Sequence, residues 1–422
     1  MYEKTILPNG VRVVSAYAPQ SYSTAISLYF GVGSRHESME LSGVSHFLEH
    51  MLFKGTQSRP SARAISEAVE GVGGMLNAGT GREYTTYWTK LPAEYTERGL
   101  SLLADMAQHS LIEPEEVERE RRVILEEIKG REDSPGRLAV GILDGLLWSE
   151  QPLGREVAGS ENTVSGITRE NLAAHAARYY TAGDLVVSCA GPVEHERVVA
   201  WASDVLRDIA TGSGEQGVVP GHTGGARRVE LAGKPVKQAN FSLGFPAISY
   251  EDPRRYALNI LDSVLGGGMS SRLFLEVRER RGLAYSVGSY AQQYRDDGAF
   301  IVHAAVTPEQ LGTSLGAVFE QLDRIATEPL DADDLARVKR YIKGRTVMGL
   351  EASRGLATWG GRQELLRDRI RDLDEVLAEV DAVTAEDVLA LAGAIFVPGV
   401  SCLAVVGPFE DAGEIEPLIN GR

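Results

Sequence analysis

Cysteine is nearly absent: there are two in 422 residues, Cys189 and Cys402. Both sit in apolar runs, VVSCAG and VSCLAVVG, that read as buried strands, so they are expected in the core rather than in a disulfide or metal role. Long apolar runs are also missing. No stretch approaches the roughly 20 residues that a membrane helix needs, and MYEKTILPNGVRVV carries Glu and Lys where a secretory leader has its apolar core. A cytoplasmic location with no membrane partner is the expectation. Positive charge is short as well: 43 Lys and Arg face 59 Asp and Glu, a formal net charge of −16. That balance disfavours nucleic acid, whose binders need a positive surface. A basic peptide suits such a field, and so does plain solubility.

Hydrophobic residues make up 43% and charged residues 24%, the balance of a folded globular chain, and the length suffices for two domains with separate cores. Composition shifts at residues 209–228, IATGSGEQGVVPGHTGGARR, where Gly, Ser, Thr and Pro replace periodic apolar pattern. A domain over 1–208, a Gly-rich linker over 209–228 and a second domain over 229–422 are expected. The halves read as copies of each other. TAISLYFGVGS leads into the apolar helix GVSHFLEHMLFKG, and QANFSLGFPA into RYALNILDSVLGGG; at a shift of 213, His46 falls on Asn259 and His50 on Ser263. Each half continues with an amphipathic helix entering an acidic one and closes on a strand ending in Gly-Pro, SCAGP or AVVGP. Alternation in VRVVSAYA and YTTYWTKL predicts half-buried strands. The fold class expected is α+β, two duplicated domains, each a mainly antiparallel sheet with helices packed on it.

The segment SHFLEHML holds His46, Glu49 and His50. On a helix, positions i, i+3 and i+4 share a face, so two imidazoles one turn apart can grip one metal ion. The carboxylate beside them is then free to take a proton from a water that the metal holds. A histidine on an apolar helix is ordinarily a satisfied core residue. Here Phe47, Leu48, Met51, Leu52 and Phe53 make the helix apolar almost all round, and two buried imidazoles with a buried carboxylate are costly unless a metal takes them up. A catalytic zinc needs a third protein ligand and an open position. EPEEVERERRVILEEIKG sets Glu120, Val123, Ile124 and Glu127 on one helical face. Glu127 could complete a His/His/Glu site, with Glu120 hydrogen-bonding a ligand from behind. Glu126 is the rival, about 100° round the helix, and any glutamate on so acidic a helix also reads as a solvated charge. GGGMSSR in the second half has the glycines of a phosphate loop but lacks its lysine.

HxxEH followed by ERRVILEE resembles the pitrilysin family of zinc metallopeptidases, the class with the inverted motif. The chain is similar to the beta subunit of mitochondrial processing peptidase and its short bacterial relatives, and the likeness extends over essentially the whole chain. It implies one zinc ion per chain on His46, His50 and Glu127, which 76 residues separate from His50, with Glu120 as the supporting glutamate and Glu49 as the catalytic base. It implies that Asn77 and Ala78, in GGMLNAGTGREYTTYW, lie along bound peptide. It further implies that Arg278 and Tyr285, in GGGMSSRLFLEVRERRGLAYSV, contact substrate, Tyr285 at the oxyanion; without the resemblance these two read as a surface ion pair and a core tyrosine. Family members enclose substrate in a clamshell chamber of four such domains. A chain with two implies a homodimer in which Arg278 and Tyr285 of one subunit reach the zinc site of the other. The activity implied is zinc-dependent endoproteolysis of extended peptides or precursor segments. A catalytically silent scaffold subunit and a four-ligand structural metal site are the other readings.

Overall fold

The computed structural model describes residues 2–214 and 228–411, together with 413 and 415–419. The first half runs β1 (Tyr2–Ile6), β2 (Arg12–Tyr17), β3 (Ser23–Phe30), α1 (Val44–Met51), α2 (Ala62–Glu70), β4 (Met75–Thr80), β5 (Thr85–Pro92), α3 (Thr96–His109), α4 (Pro114–Glu132), α5 (Pro135–Leu147), α6 (Glu161–Gly166), α7 (Arg169–Tyr179), β6 (Leu185–Gly191) and α8 (His195–Val205). The second runs β7 (Arg228–Gly233), β8 (Ala239–Ala247), α9 (Arg255–Leu265), a π-helical segment Phe274–Arg280, β9 (Ala284–Gln293), β10 (Gly298–Val306), α10 (Leu311–Thr327), α11 (Ala332–Gly349), α12 (Ser353–Arg367), α13 (Leu373–Ala382), α14 (Ala385–Ile395) and β11 (Cys402–Gly407).

The duplication is visible in the strand order. The first sheet is β1-β2-β6-β3-β5-β4 and the second β7-β11-β8-β10-β9. Apart from β1, both place their strands in the same order, with one parallel pair, β2 with β6 or β7 with β11, and antiparallel pairing elsewhere. The two cysteines fall on the corresponding strands β6 and β11, buried and free. No helix among the described residues is long and apolar enough to cross a membrane.

The two compact units are not the two continuous halves. Lys129–Gly154, which carries α5, belongs with the second sheet, and Thr346–Leu373, which carries α12, belongs with the first. The boundaries expected from composition, 1–208 and 229–422, separate the strands of the two sheets, whereas α5 and α12 each fall in the compact unit of the other half. At the expected linker, Ile209 is buried and the amides of Ala182 and Gly183 bond the carbonyls of Ala210 and Gly212 at 2.8 Å, so its first residues finish the first unit. Arg228 already opens β7, and residues 215–227 lie outside the described residues.

The exchange of helices explains a departure from the expected pattern. VRVVSAYA predicts a strand with one wet face, yet Val13, Val14, Ser15 and Ala16 of β2 are all buried, because α12 covers the face that would otherwise meet water. β3 is buried throughout Thr24–Phe30 for the same reason, whereas β5, further out, keeps strict alternation of buried and half-buried residues. α12 closes on the sheet through glycine. A Cβ on Gly361 would stand 2.4 Å from the ring of Tyr29. Polar anchors add to this packing: Ser188 Oγ donates to the Ala357 carbonyl at 2.7 Å, and Lys4 pairs with buried Glu364 at 2.6 Å. On the opposite face of the first sheet, α1 and α3 pack around a core that includes Val13, Ile26, Leu28, Phe47, Leu48 and Leu103.

Candidate metal centre

Phe47, Leu48 and Met51 of α1 are fully buried in the first core. Burying that stripe fixes the rotation of the helix and leaves His46, Glu49 and His50 half-buried on its other side. α4 is anchored by Val117, Ile124 and Ile128, with Glu120 buried among them. Val123, expected on this face, is 44% exposed; the buried stripe runs 117-120-124-128 and passes it by.

Glu127 lies at the rim, its side chain 48% exposed, and its Oε2 stands 3.8 Å from His46 Nε2 and 3.7 Å from His50 Nε2. One ligand atom from each of His46, His50 and Glu127 falls within 4.8 Å of the others, in a cluster that Glu126 does not join. Zinc–ligand bonds of about 2.0–2.1 Å put tetrahedral neighbours about 3.3 Å apart. Glu127 Oε2 stands about 0.5 Å beyond that from each imidazole nitrogen, a difference that small side-chain rotations close, and two imidazoles with one carboxylate form a donor set that suits zinc. The three residues therefore fit the ion.

Behind this cluster, His50 Nδ1 is 3.0 Å from Glu120 Oε2, and Glu120 is in turn ion-paired with Lys54 through its other oxygen. Such a carboxylate fixes the tautomer of a ligating imidazole and aims its other nitrogen. Glu49 stays outside the cluster and accepts a hydrogen bond from Thr80 Oγ1 at 2.5 Å. Burial raises the Glu49 carboxyl above the usual range; the bond from Thr80 and the neighbouring His50 pull it down, and Glu127 pushes it up. At the start of α1, Glu37 Oε2 and Oε1 accept the amides of Gly43 and Ser45, and Ser45 Oγ bonds His175 Nε2 at 3.0 Å.

Asn77 and Ala78 lie on β4, one of the two edge strands of the first sheet among the described residues. Asn77 is exposed, and its Oδ1 accepts the amide of Ala78 at 2.8 Å; Ala78 packs against the core. Arg278 and Tyr285 belong to the second unit. Tyr285 is 74% exposed at the start of β9, which removes the core-tyrosine reading, and the Arg278 guanidinium lies 5.8 Å from its ring centre.

Three residues of this neighbourhood, Lys54, Thr80 and Glu37, are not among those expected from the sequence. Lys54 follows His50 by four positions, so helical spacing was a usable signal for it. Thr80 and Glu37 carry no local signal, since each acts on α1 from another segment.

The fold and the site together define a duplicated α+β protein with a His/His/Glu cluster of the kind that metal-dependent hydrolases use. The chain belongs to peptidase family M16: the insulinase (peptidase family M16) model matches residues 12–161 and the peptidase M16 inactive-domain model residues 166–342. It is 38% identical to an uncharacterised zinc protease of Streptomyces coelicolor over 97% of this chain and 90% of that one. It is 34% identical to the uncharacterised zinc protease YmxG of Bacillus subtilis over 97% and 98%. Among solved structures, a peptidase M16 inactive domain from Pseudomonas fluorescens superposes with a TM-score of 0.90 at 21% identity, covering 97% of this chain and 98% of that one. A protease from Helicobacter pylori does so with 0.90 at 22%, over 97% and 99%. These two likenesses speak for the fold alone. All three clustered residues lie within the stretch matched by the insulinase model. The stretch matched as inactive has Asn259 and Ser263 where the first half has His46 and His50.

Proposed function

We propose that the chain is a zinc-dependent endopeptidase, with the ion on His46, His50 and Glu127 and with Glu49 as proton acceptor. The observation that carries this reading is the convergence of three ligand atoms within 4.8 Å beside a second carboxylate, that of Glu49, which is held separately by Thr80. Bound there, zinc supplies Lewis acidity, polarising a scissile carbonyl and acidifying water. Glu49 takes the proton of the attacking water and returns it to the leaving amine. Its burial suits it to hold that proton, and Thr80 fixes its orientation. Glu120, backed by Lys54, orients His50. Exposure of Glu127 at the rim is compatible with an open coordination position.

The free edge of β4 supports a substrate taken up as an added strand, through main-chain hydrogen bonds beside Asn77 and Ala78. Such contacts tolerate many side chains and favour extended peptides or precursor segments, basic ones being helped by the net charge of −16. Arg278 and Tyr285, exposed and adjacent, suit substrate contact and oxyanion stabilisation. We assign them to the zinc site of a second copy in a cytoplasmic homodimer.

The deciding measurement is mass-spectrometric mapping of peptide cleavage by the purified chain, with and without chelator. Internal cleavage that chelator abolishes and zinc restores is expected. A metal-loaded chain that cleaves nothing across a varied peptide set is instead a scaffold subunit. A monomer retaining full activity at nanomolar concentration contradicts the dimeric assignment.

A further inference from the structure

Glu37 precedes α1 by seven residues, and its side chain returns to the start of that helix. Its Oε2 accepts the amide of Gly43 at 2.7 Å and its Oε1 that of Ser45 at 2.8 Å. The first amides of any helix lack partners within it, and the N-cap residue here, Gly43 at φ 98°, contributes no side-chain cap. A carboxylate from outside the helix supplies the missing acceptors and sets negative charge where the helix dipole favours it. Glu37 is 6% exposed, and the chain at this point is pinned by Arg155 Nη2, which donates to the Glu37 carbonyl at 2.6 Å. The residue after Ser45 is His46, so the clamp ends one peptide bond from the metal cluster.

The second unit offers an internal comparison. There α9 takes the place of α1, again without a side-chain cap on its N-cap residue, and at the 213-residue shift the position of Glu37 is held by Tyr250. The carboxylate nearby, Asp252, only half-buried, accepts the amide and guanidinium of Arg254 two residues on, a local turn rather than a clamp from a distance. Among the described residues, then, the buried two-amide clamp goes with the helix that bears the imidazoles and is missing from its counterpart. A device serving only the fold would be expected in both copies.

We propose that Glu37 is a positioning residue for metal binding: it holds the first turn of α1 in place so that His46 and His50 meet Glu127 of α4. This rests on the reading of those three residues as a zinc site. Ligating groups must be held within about 0.5 Å of the productive geometry, and a helix loose at its first turn moves His46 first.

The test uses the full chain at pH 8, above the value of about 7 to which burial raises the Glu37 carboxyl. Zinc affinity is measured by competition with a chromophoric chelator, and ligand geometry by the visible absorption of the cobalt-substituted protein. E37A is expected to bind zinc about 10- to 100-fold more weakly, the range found when groups that orient metal ligands are lost, with an altered cobalt spectrum. E37Q, whose single amide oxygen can serve one of the two amides, is expected in between, and it remains informative if E37A does not fold. T384A removes the cap of α14, where Thr384 accepts the Asp387 amide, and is expected to lower thermal stability without changing zinc affinity. A folded E37A or E37Q with wild-type zinc affinity and cobalt spectrum overturns the proposal. A wild-type chain that binds no zinc fails earlier and overturns the functional reading with it.

Discussion

Thr80 Oγ1 donates to Glu49 at 2.5 Å, and Ser289 Oγ donates to Asp262 at 2.6 Å. Asp262 occupies on α9 the place of Glu49 on α1, at the same shift of 213, and Gly288-Ser289 on β9 matches Gly79-Thr80 on β4. The same carboxylate–hydroxyl bond ties helix to edge strand in both units, although only the first carries the imidazole pair. The bond therefore belongs to the duplicated architecture, and in the first unit it holds the group proposed as the base at the end of the strand proposed to receive substrate.

Replacing Thr80 by Val removes a hydrogen bond to a charged group, an interaction of about 1.5–3 kcal/mol. We expect kcat to fall about 10- to 100-fold with KM little changed, while Thr80→Ser stays near wild type. Kinetics on a quenched-fluorescence peptide measure this; a Thr80→Val enzyme with undiminished kcat would make the bond architectural only. Glu49→Gln is expected to keep zinc and lose turnover by a factor of about 100 or more.

Glu120→Gln keeps the shape of the residue behind His50 but weakens its hold on the imidazole. A fall in zinc affinity of about 10- to 100-fold is expected, read by chelator competition. Lys54→Met should act in the same direction and more weakly, because it removes only the cation that partners Glu120. Unchanged affinity in Glu120→Gln would show that Glu120 does not orient the ligand.

His175 makes the fold sensitive to acid. Burial, then the nearby His36 and Arg178, hold its pKa down to about 4. Between that value and the unfolded value of 6.5 the unfolded chain binds more protons, so the stability due to neutral His175 is present above pH 6.5 and lost as pH falls towards 4. The loss is on the order of 3 kcal/mol. His175→Gln can keep the bond to Ser45 Oγ and cannot titrate, so its unfolding free energy should fall less steeply over this window. Denaturant titrations at several pH values compare the two; parallel slopes would remove His175 as the cause.

Gly361 lies where α12 packs closely on the first sheet. An alanine there sets its Cβ 2.4 Å from the Tyr29 ring and 2.9 Å from Ser188 Cβ. Overpacking of this kind costs about 1–3 kcal/mol. Gly361→Ala should lower the thermal midpoint while leaving zinc affinity unchanged, and a variant as stable as wild type would show that the helix can back away freely.

Local regularities, and the family likeness they carry, were legible in the sequence alone. The 3.6-residue period puts His46, Glu49 and His50 on one face, and period two makes YTTYWTKL the alternating strand β5. The repeated order of elements predicts two copies of one sheet. Helical spacing favoured Glu127 over the adjacent Glu126 and the resemblance implied it, while the tertiary structure brings Glu127 beside the imidazoles. Tertiary structure also decided the exchange of α5 and α12, the burial of β2 on both faces, and the contacts that Thr80 and Glu37 make with α1. The physical reason is common to all of these. Periodicity records which side of an element is apolar, whereas the neighbour that covers that side, or the carboxylate that reaches its end, comes from elsewhere in the chain and is selected only when the whole core packs.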